Sequence, residues 1–228
     1  MINQILPELS ADKVVLASAS PRRRQILDLI GLHPLIIASG FDEALLNRGA
    51  FASPADFVQA SAFLKAAHAS IRCTNASLII AADTIVAHEG RILEKPKDDD
   101  EARKMLKSLS GARHSVLTGV CMFLPQMTTT DPVPDCLGPA QHLLPDKFQN
   151  SAHRTWVSET LVEFTEINDA MIEAYLWTGD HRDKAGSYGI QGPAAMFVKR
   201  VDGCYFNVMG FPLQAFASRL IHLKRNLP

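Results

Sequence analysis

The chain has 228 residues, 47% of them hydrophobic and 21% charged, enough for a sizeable core in one large α/β domain. Its 23 basic and 24 acidic residues leave a net charge of −1. That balance excludes a global basic surface for nucleic acid or an anionic membrane, so any anion site must be local. No apolar stretch approaches the length of a membrane span. Cys73, Cys121, Cys136 and Cys204 stand far apart with no Cys-x-x-Cys pair, as in reduced thiols rather than a disulfide or zinc framework. The segment MINQILPELSADK lacks the basic-then-apolar order of a secretory signal, and a cytoplasmic protein is expected.

Val14–Leu16 reads as a short buried strand, followed by a small-residue turn over Ala17–Ser20 and then a helix. Ser20 is a natural N-cap, and Pro21 takes the first helical position, where its missing N–H costs nothing. Ile26, Leu27 and Ile30 recur at helical spacing, and Gly31 supplies the stop. Arg22, Arg23 and Arg24 fall in the first turn, where cations oppose the helix dipole. A phosphate arriving there would meet free N–H groups, two serine hydroxyls and guanidinium forks, and would repair the conflict. The alternatives are a solvated basic run, a phosphorylation site or a targeting signal, although an exposed tail signal would not need the apolar strand before it.

Pro34–Ala38 reads as a second strand running into Ser39–Glu43, a turn whose two carboxylates read, on the residues alone, as a solvent-facing loop. Ser53-Pro54 opens a long helix with Phe57, Val58, Ala60, Phe63, Leu64 and Ala67 as its apolar stripe. Lys65 lies beside that stripe and, taken alone, reads as solvated. Ser77–Ala82 is a strongly apolar strand that empties into Asp83-Thr84, with another strand over Ile85–Ala87. A carboxylate between two such runs is expensive unless paired or metal-bound, which makes Asp83 a candidate ligand or catalytic group. After a hairpin turn at Glu89-Gly90, Arg91–Glu94 leads to Lys95-Pro96, where the proline holds Lys95 extended at a strand end. Asp98–Glu101 could pass for a cation cluster, but acids there cap a helix over Glu101–Leu109. His114–Leu124 is a long strand in which His114 is structural.

Pro125–His153 breaks the pattern, with prolines at 125, 132, 134, 139 and 145 and no periodicity. It reads as an extended, partly mobile surface insertion at a hairpin tip, without a buried apolar face and dispensable for chemistry. Thr155–Phe164 resumes strand character, and Asn168 caps a helix through Trp177. Gly186, Gly189 and Gly192 then prescribe tight turns able to approach a ligand, outside any G-x-G-x-x-G or Walker pattern. Ala194–Lys199 and Cys204–Val208 read as a terminal hairpin, and Leu213–Leu223 as a closing amphipathic helix.

Five motifs stand in order: Ser18-Ala-Ser-Pro-Arg-Arg23, Ala82-Asp-Thr84, Glu94-Lys-Pro96, Asp183-Lys-Ala-Gly-Ser-Tyr-Gly-Ile-Gln-Gly192 and Val208-Met-Gly-Phe-Pro-Leu213. Together they resemble the Maf (septum formation protein) family of nucleoside triphosphate pyrophosphatases, over about the whole chain outside residues 125–153. The expectation is a single domain, 1–228, carrying that insertion. The resemblance implies an α/β fold related to inosine triphosphate pyrophosphatases, a curved mixed sheet with helices and two lobes about a central cleft. It implies hydrolysis of a nucleoside triphosphate to the monophosphate and pyrophosphate with a divalent metal, Mg²⁺ first and Mn²⁺ or Co²⁺ as alternatives. The implied partner is the substrate, with no nucleic acid or membrane and with a homodimer left open.

By the same resemblance Asp83 is the proton acceptor, orienting or deprotonating water, and a metal ligand. Glu43 helps hold the metal, with Asp42 as the alternative in that loop. Lys65, Lys95, Arg22 and Arg23 neutralise the triphosphate, Ser18 and Ser20 hydrogen-bond to it, and Thr84, Lys184 and Gln191 complete the substrate-binding set. Arg22, Thr84 and Gln191 match the dTTP/UTP-type subgroup, whereas a sister group resembling 7-methyl-GTP enzymes carries tryptophan, glutamine and glutamate there. The swap makes physical sense, because a cationic methylated guanine suits an aromatic face and a carboxylate. A neutral pyrimidine instead offers an imide N–H between two carbonyls, and a glutamine can both accept and donate. The alternatives are a non-catalytic nucleotide-binding regulator of cell division and a broad or 7-methyl-GTP-specific pyrophosphatase.

Overall fold

A computed structural model describes residues 13–129, 132–148 and 150–225. The segment read against a secretory signal lies outside them except for Lys13. In order the elements are β1 (Val14–Leu16), α1 (Pro21–Asp28), β2 (Leu35–Ile36), α2 (Pro54–Ser70), β3 (Leu78–His88), β4 (Arg91–Leu93) and α3 (Asp99–Leu109). They continue with β5 (Arg113–Thr128), β6 (Ser151–Phe164), α4 (Asp169–Trp177), β7 (Val198–Asp202), α5 (Tyr205–Val208) and α6 (Leu213–Arg225). The strands join as β2-β1-β3-β5-β6-β7, with β4 on β3. β1 pairs in parallel with β2 and β3, while β4 and β7 pair antiparallel with β3 and β6, which makes the sheet mixed.

The chain divides into two compact units. The first holds the chain up to Asp83, Thr118–Ser158 and the part from Gly210 onward; the second holds Thr84–Leu117 and Glu159–Met209. In the first unit β1 is buried along its whole length, as a strand flanked by two parallel neighbours requires. Ser53 caps α2 by accepting from the Asp56 N–H at 3.1 Å while its hydroxyl donates to Asp56 Oδ2 at 2.7 Å, and Pro54 follows at the first position. Val58, Ser61 and Lys65 share one face of this helix at i, i+3 and i+7. That face rests on the sheet at Gly119 of β5, where an added Cβ would lie 2.2 Å from the Val58 carbonyl oxygen. Only a glycine admits so close an approach.

In the second unit Val86, Leu106, Val116, Phe164, Tyr188 and Phe197 form the core. His114 is buried against the Phe164 ring and shares a 2.8 Å hydrogen bond with the Tyr188 hydroxyl, a structural role as expected. Burial, with His88 nearby, pushes its pKa down to about 4. Among the described residues no helix is long and apolar enough to cross a membrane, and the four cysteines are free thiols.

Several elements differ from expectation. Ser77–Ala82 and Ile85–Ala87 are one continuous strand, β3, because period-two alternation lets the Asp83 side chain leave the ladder without interrupting it. β2 is only two residues long, and both are exposed. Cys204–Val208 is helical: Asn207 is fully buried, and its side-chain amide donates to the Val116 carbonyl at 2.9 Å and to Thr160 Oγ1 at 3.1 Å. β7 pairs with β6, and Pro193–Phe197 before it is a 3-10 turn. The 125–153 insertion does bury apolar groups. Its 3-10 helix, Asp135–Leu143, packs on α2 with Leu137 and Ala140 buried, and His68 hydrogen-bonds the Leu143 carbonyl at 2.9 Å. Phe148 places its ring 6.1 Å from Phe63 and 6.0 Å from Phe123. Residues 130, 131 and 149 of the insertion lie outside the described residues.

Candidate functional site

The turn between β1 and α1 is tied down by the Ala17 N–H, which donates to the Ile80 carbonyl of β3 at 2.7 Å. Ser18 is buried, and its Oγ accepts from the Ser20 N–H at 3.2 Å and from Arg23 Nη1 at 3.0 Å. Arg23 Nε donates to the Gly210 carbonyl at 2.9 Å, which joins the first motif to the last. Ser20 occupies the N-cap position without a side-chain cap bond, and no acidic side chain stands in the first turn of α1. Arg22 is half-buried, and Arg24 is exposed and leans toward Asp28 at 3.8 Å. Burial lowers the Arg23 pKa while Asp83 and Glu43 pull the other way, and the guanidinium stays charged. Of the basic run, Arg23 is thus tied into the fold, whereas Arg24 faces outward.

Lys65 is the junction. Its ammonium lies 2.8 Å from Asp83 Oδ1 and 2.9 Å from Glu43 Oε2. The Lys65 side chain is 7% exposed and that of Asp83 13%, whereas Glu43 is 57% exposed. In the loop before α2, Phe41 is buried with its ring 5.0 Å from that of His68. Asp42 turns away to cap a 3-10 turn, accepting from the Ala44 N–H at 3.0 Å, so Glu43 is the acid that reaches the cluster. Burial by itself would raise the Asp83 carboxyl. The hydrogen-bonded Lys65 ammonium and Arg23 outweigh it and hold Asp83 below the usual carboxylate range. Asp83 is thus ionised at neutral pH and offers acceptors only. Two carboxylates and two cations converge here, able to orient water, share an ion and meet phosphate oxygens.

The remaining expected residues lie in the second unit. Thr84 follows Asp83 on β3 and is half-buried, and Lys95 is exposed after β4. Lys184 bonds the Asp180 main-chain carbonyl and pairs with Asp180 Oδ1 at 3.1 Å. Gln191 is exposed in a turn closed by the Gly192 N–H on the Gly189 carbonyl at 3.0 Å. Asp98 caps α3, accepting from the Glu101 N–H at 2.8 Å, and Glu101 accepts from the Lys97 N–H at 2.7 Å, as the capping reading requires. The last motif stood out in the sequence, but not the use of its Gly210 carbonyl as an acceptor for Arg23, since no side-chain pattern announces a main-chain oxygen.

A family model described as Maf-like protein matches residues 13–223. A dTTP/UTP pyrophosphatase of Clostridium perfringens (strain SM101 / Type A) is 39% identical over 202 residues, 88% of this chain and 92% of that protein. Another of Bacillus cytotoxicus is 37% identical over 208 residues, covering 91% and 94%. Among solved structures, a nucleoside-triphosphatase / dITP/XTP pyrophosphatase from Mycobacterium abscessus aligns over 94% of this chain and 97% of its own, at 13% identity and a TM-score of 0.39.

Proposed function

The chain belongs to the Maf family, and from that membership we propose that it hydrolyses dTTP and UTP to the monophosphate and pyrophosphate. The observation that carries this reading is the buried Lys65 ammonium between Asp83 and Glu43, with Arg23 and Ser18 beside them. Hydrolysis adds water at phosphorus, breaks the bond to the bridging oxygen and leaves charge on pyrophosphate. Asp83 orients the attacking water. With its pKa held low it is a weak base, so its contribution is placement more than abstraction. Lys65, Arg22 and Arg23 oppose the triphosphate charge, and Ser18 and Ser20 donate hydrogen bonds to it. By the family resemblance Lys95 acts on the same charge and Thr84 and Gln191 hold the rest of the nucleotide, while the Lys184 ammonium, also expected there, is taken up by Asp180.

A divalent ion fits the donor set in one form. Among the described residues no cluster of three or more His, Cys, Asp or Glu side chains could hold an ion alone. Mg²⁺ is commonly held by one or two carboxylates together with substrate phosphates, and Glu43 and Asp83 are the two that meet that demand. When bound it would offset phosphate charge. Free thiols suit a cytoplasmic setting, and a homodimer belongs to the same reading, checked by sedimentation.

The test is pyrophosphate release with Mg²⁺ across dTTP, UTP, GTP, ITP and 7-methyl-GTP. Turnover of dTTP and UTP should exceed that of the purine substrates by at least about tenfold, since unpaired polar groups penalise the wrong base. Gln191→Glu should weaken use of dTTP and UTP, because a carboxylate cannot donate to the pyrimidine carbonyls. Equal rates on all substrates would remove the pyrimidine preference, and no release from any of them would remove the hydrolase.

A further inference from the structure

Asp180 carries a network that the reaction as read so far does not use. The buried Tyr175 donates its hydroxyl to Asp180 Oδ2 at 3.0 Å, and the Lys184 ammonium lies 3.1 Å from Asp180 Oδ1 while also bonding the Asp180 main-chain carbonyl. The Asp180 N–H donates to Thr178 Oγ1 at 3.2 Å, so main chain and side chain are both fixed. Around this carboxylate the chain folds the turn Gly189-Ile190-Gln191-Gly192. A Cβ at Gly192 would come within 2.6 Å of Asp180 Oδ2, and one at Gly189 within 2.6 Å of Lys184 Cε. Both ends of the turn therefore lie directly on the Asp180–Lys184 pair. Ile190 is buried between them, and Gln191 alone is left exposed.

We infer that Asp180 is a positioning residue for substrate choice: with Tyr175 and Lys184 it clamps the Gly189–Gly192 turn and fixes the side chain of Gln191. The inference rests on the reading of Gln191 as a contact to the pyrimidine base. Lys184, on this geometry, acts through Asp180. The two glycines are required because the main chain passes over a carboxylate and a lysine stem at distances no Cβ permits.

The test uses Asp180→Asn, which keeps the volume and an acceptor for Tyr175 but loses the ion pair, and Tyr175→Phe, which removes the other arm. In Asp180→Asn the ratio of kcat/KM for dTTP over GTP should fall about tenfold, through KM, with kcat changed by less than about threefold. Tyr175→Phe should move the same ratio less. Adding Asp180→Asn to Gln191→Ala should lower the ratio no further, since Asp180 acts only through the Gln191 contact. In the substrate-free protein, amide hydrogen exchange across residues 189–192 should quicken in both variants. Unchanged exchange overturns the clamp whatever the substrate. Quickened exchange with an unchanged ratio, or full additivity with Gln191→Ala, overturns the role in substrate choice. If Asp180→Asn does not fold, Tyr175→Phe decides on the same two measurements. A wild type that prefers no pyrimidine removes the base reading, and the exchange result separates that outcome from failure of the clamp.

Discussion

Two groups in this molecule share one formula, a single cation between two carboxylates. In the first unit Lys65 sits between Asp83 and Glu43; in the second Arg103 of α3 sits between Asp100 and Glu173 of α4. Their surroundings are opposite. The Lys65 side chain is 7% exposed and Asp83 13%, against 30% for Arg103 and 82% for Asp100. Hydrogen bonds to Glu173 and Asp100 raise the Arg103 pKa, and the bond from Arg103 lowers that of Glu173. Water and salt nevertheless screen such exposed pairs until little stability is left in them. Around Lys65 the ammonium and Asp83 are withheld from water while Glu43 stays exposed, so the two buried groups depend on each other and on whatever ion or phosphate arrives. Burial separates a group poised for chemistry from one that decorates two helices.

Four experiments would break or sharpen that contrast. The largest effect belongs to Asp83→Asn, which should lower pyrophosphate release by at least about 10²-fold, the loss expected when the attacking water is no longer held in place. The fold should survive, because Glu43 still holds the Lys65 ammonium. More than half of wild-type turnover would place the chemistry elsewhere. Next is Gly119→Ala, whose new methyl meets the Val58 carbonyl; urea unfolding should show a loss of about 1–3 kcal/mol, with slower hydrolysis as α2 lifts from the sheet. An unchanged midpoint would show that α2 moves at no cost.

The third is a pH effect in the second unit. His114 is neutral when folded down to about 4, whereas the unfolded chain protonates near 6.5, so the unfolded state binds the extra proton in that window. Stability should therefore fall on acidification between those values, by at most about 1.4 kcal/mol per pH unit. His114→Phe should flatten the curve there; an identical slope would assign it to another group. The smallest effect belongs to Arg103→Ala, which should leave melting temperature and turnover unmoved. A clear drop in either would erase the distinction drawn from exposure.

How much of this was legible depended on whether a signal was local. The strand–turn–helix at Ser18–Arg23 was readable because cap, proline and arginines are neighbours in sequence. Asp83 stood out as a carboxylate amid apolar residues, but the expected strand break did not occur, since alternation absorbs one polar side chain. Lys65 was not decisive alone, because its partners stand on β3 and in the Glu43 loop, far from it in sequence. The choice between Asp42 and Glu43 turned on a 3-10 cap that no periodicity marks. The insertion hid its buried contacts for a related reason. Leu137, Ala140 and Phe148 are single anchors in a proline-containing turn, without the repeat that reveals a helix or strand.

The contact at Gly119 works as a gauge block. It sets how near the backbone of α2 comes to the sheet, and so how long and how wide the side chain at position 65 can be. A compact ammonium on a four-carbon stem touches both carboxylates within that clearance. A guanidinium is planar and broader, so Lys65→Arg keeps the charge but not this single-point bridge between the two carboxylates. A side chain larger than hydrogen at position 119 would push away the helix that carries Lys65, so a glycine on β5 fixes the placement of a lysine on α2.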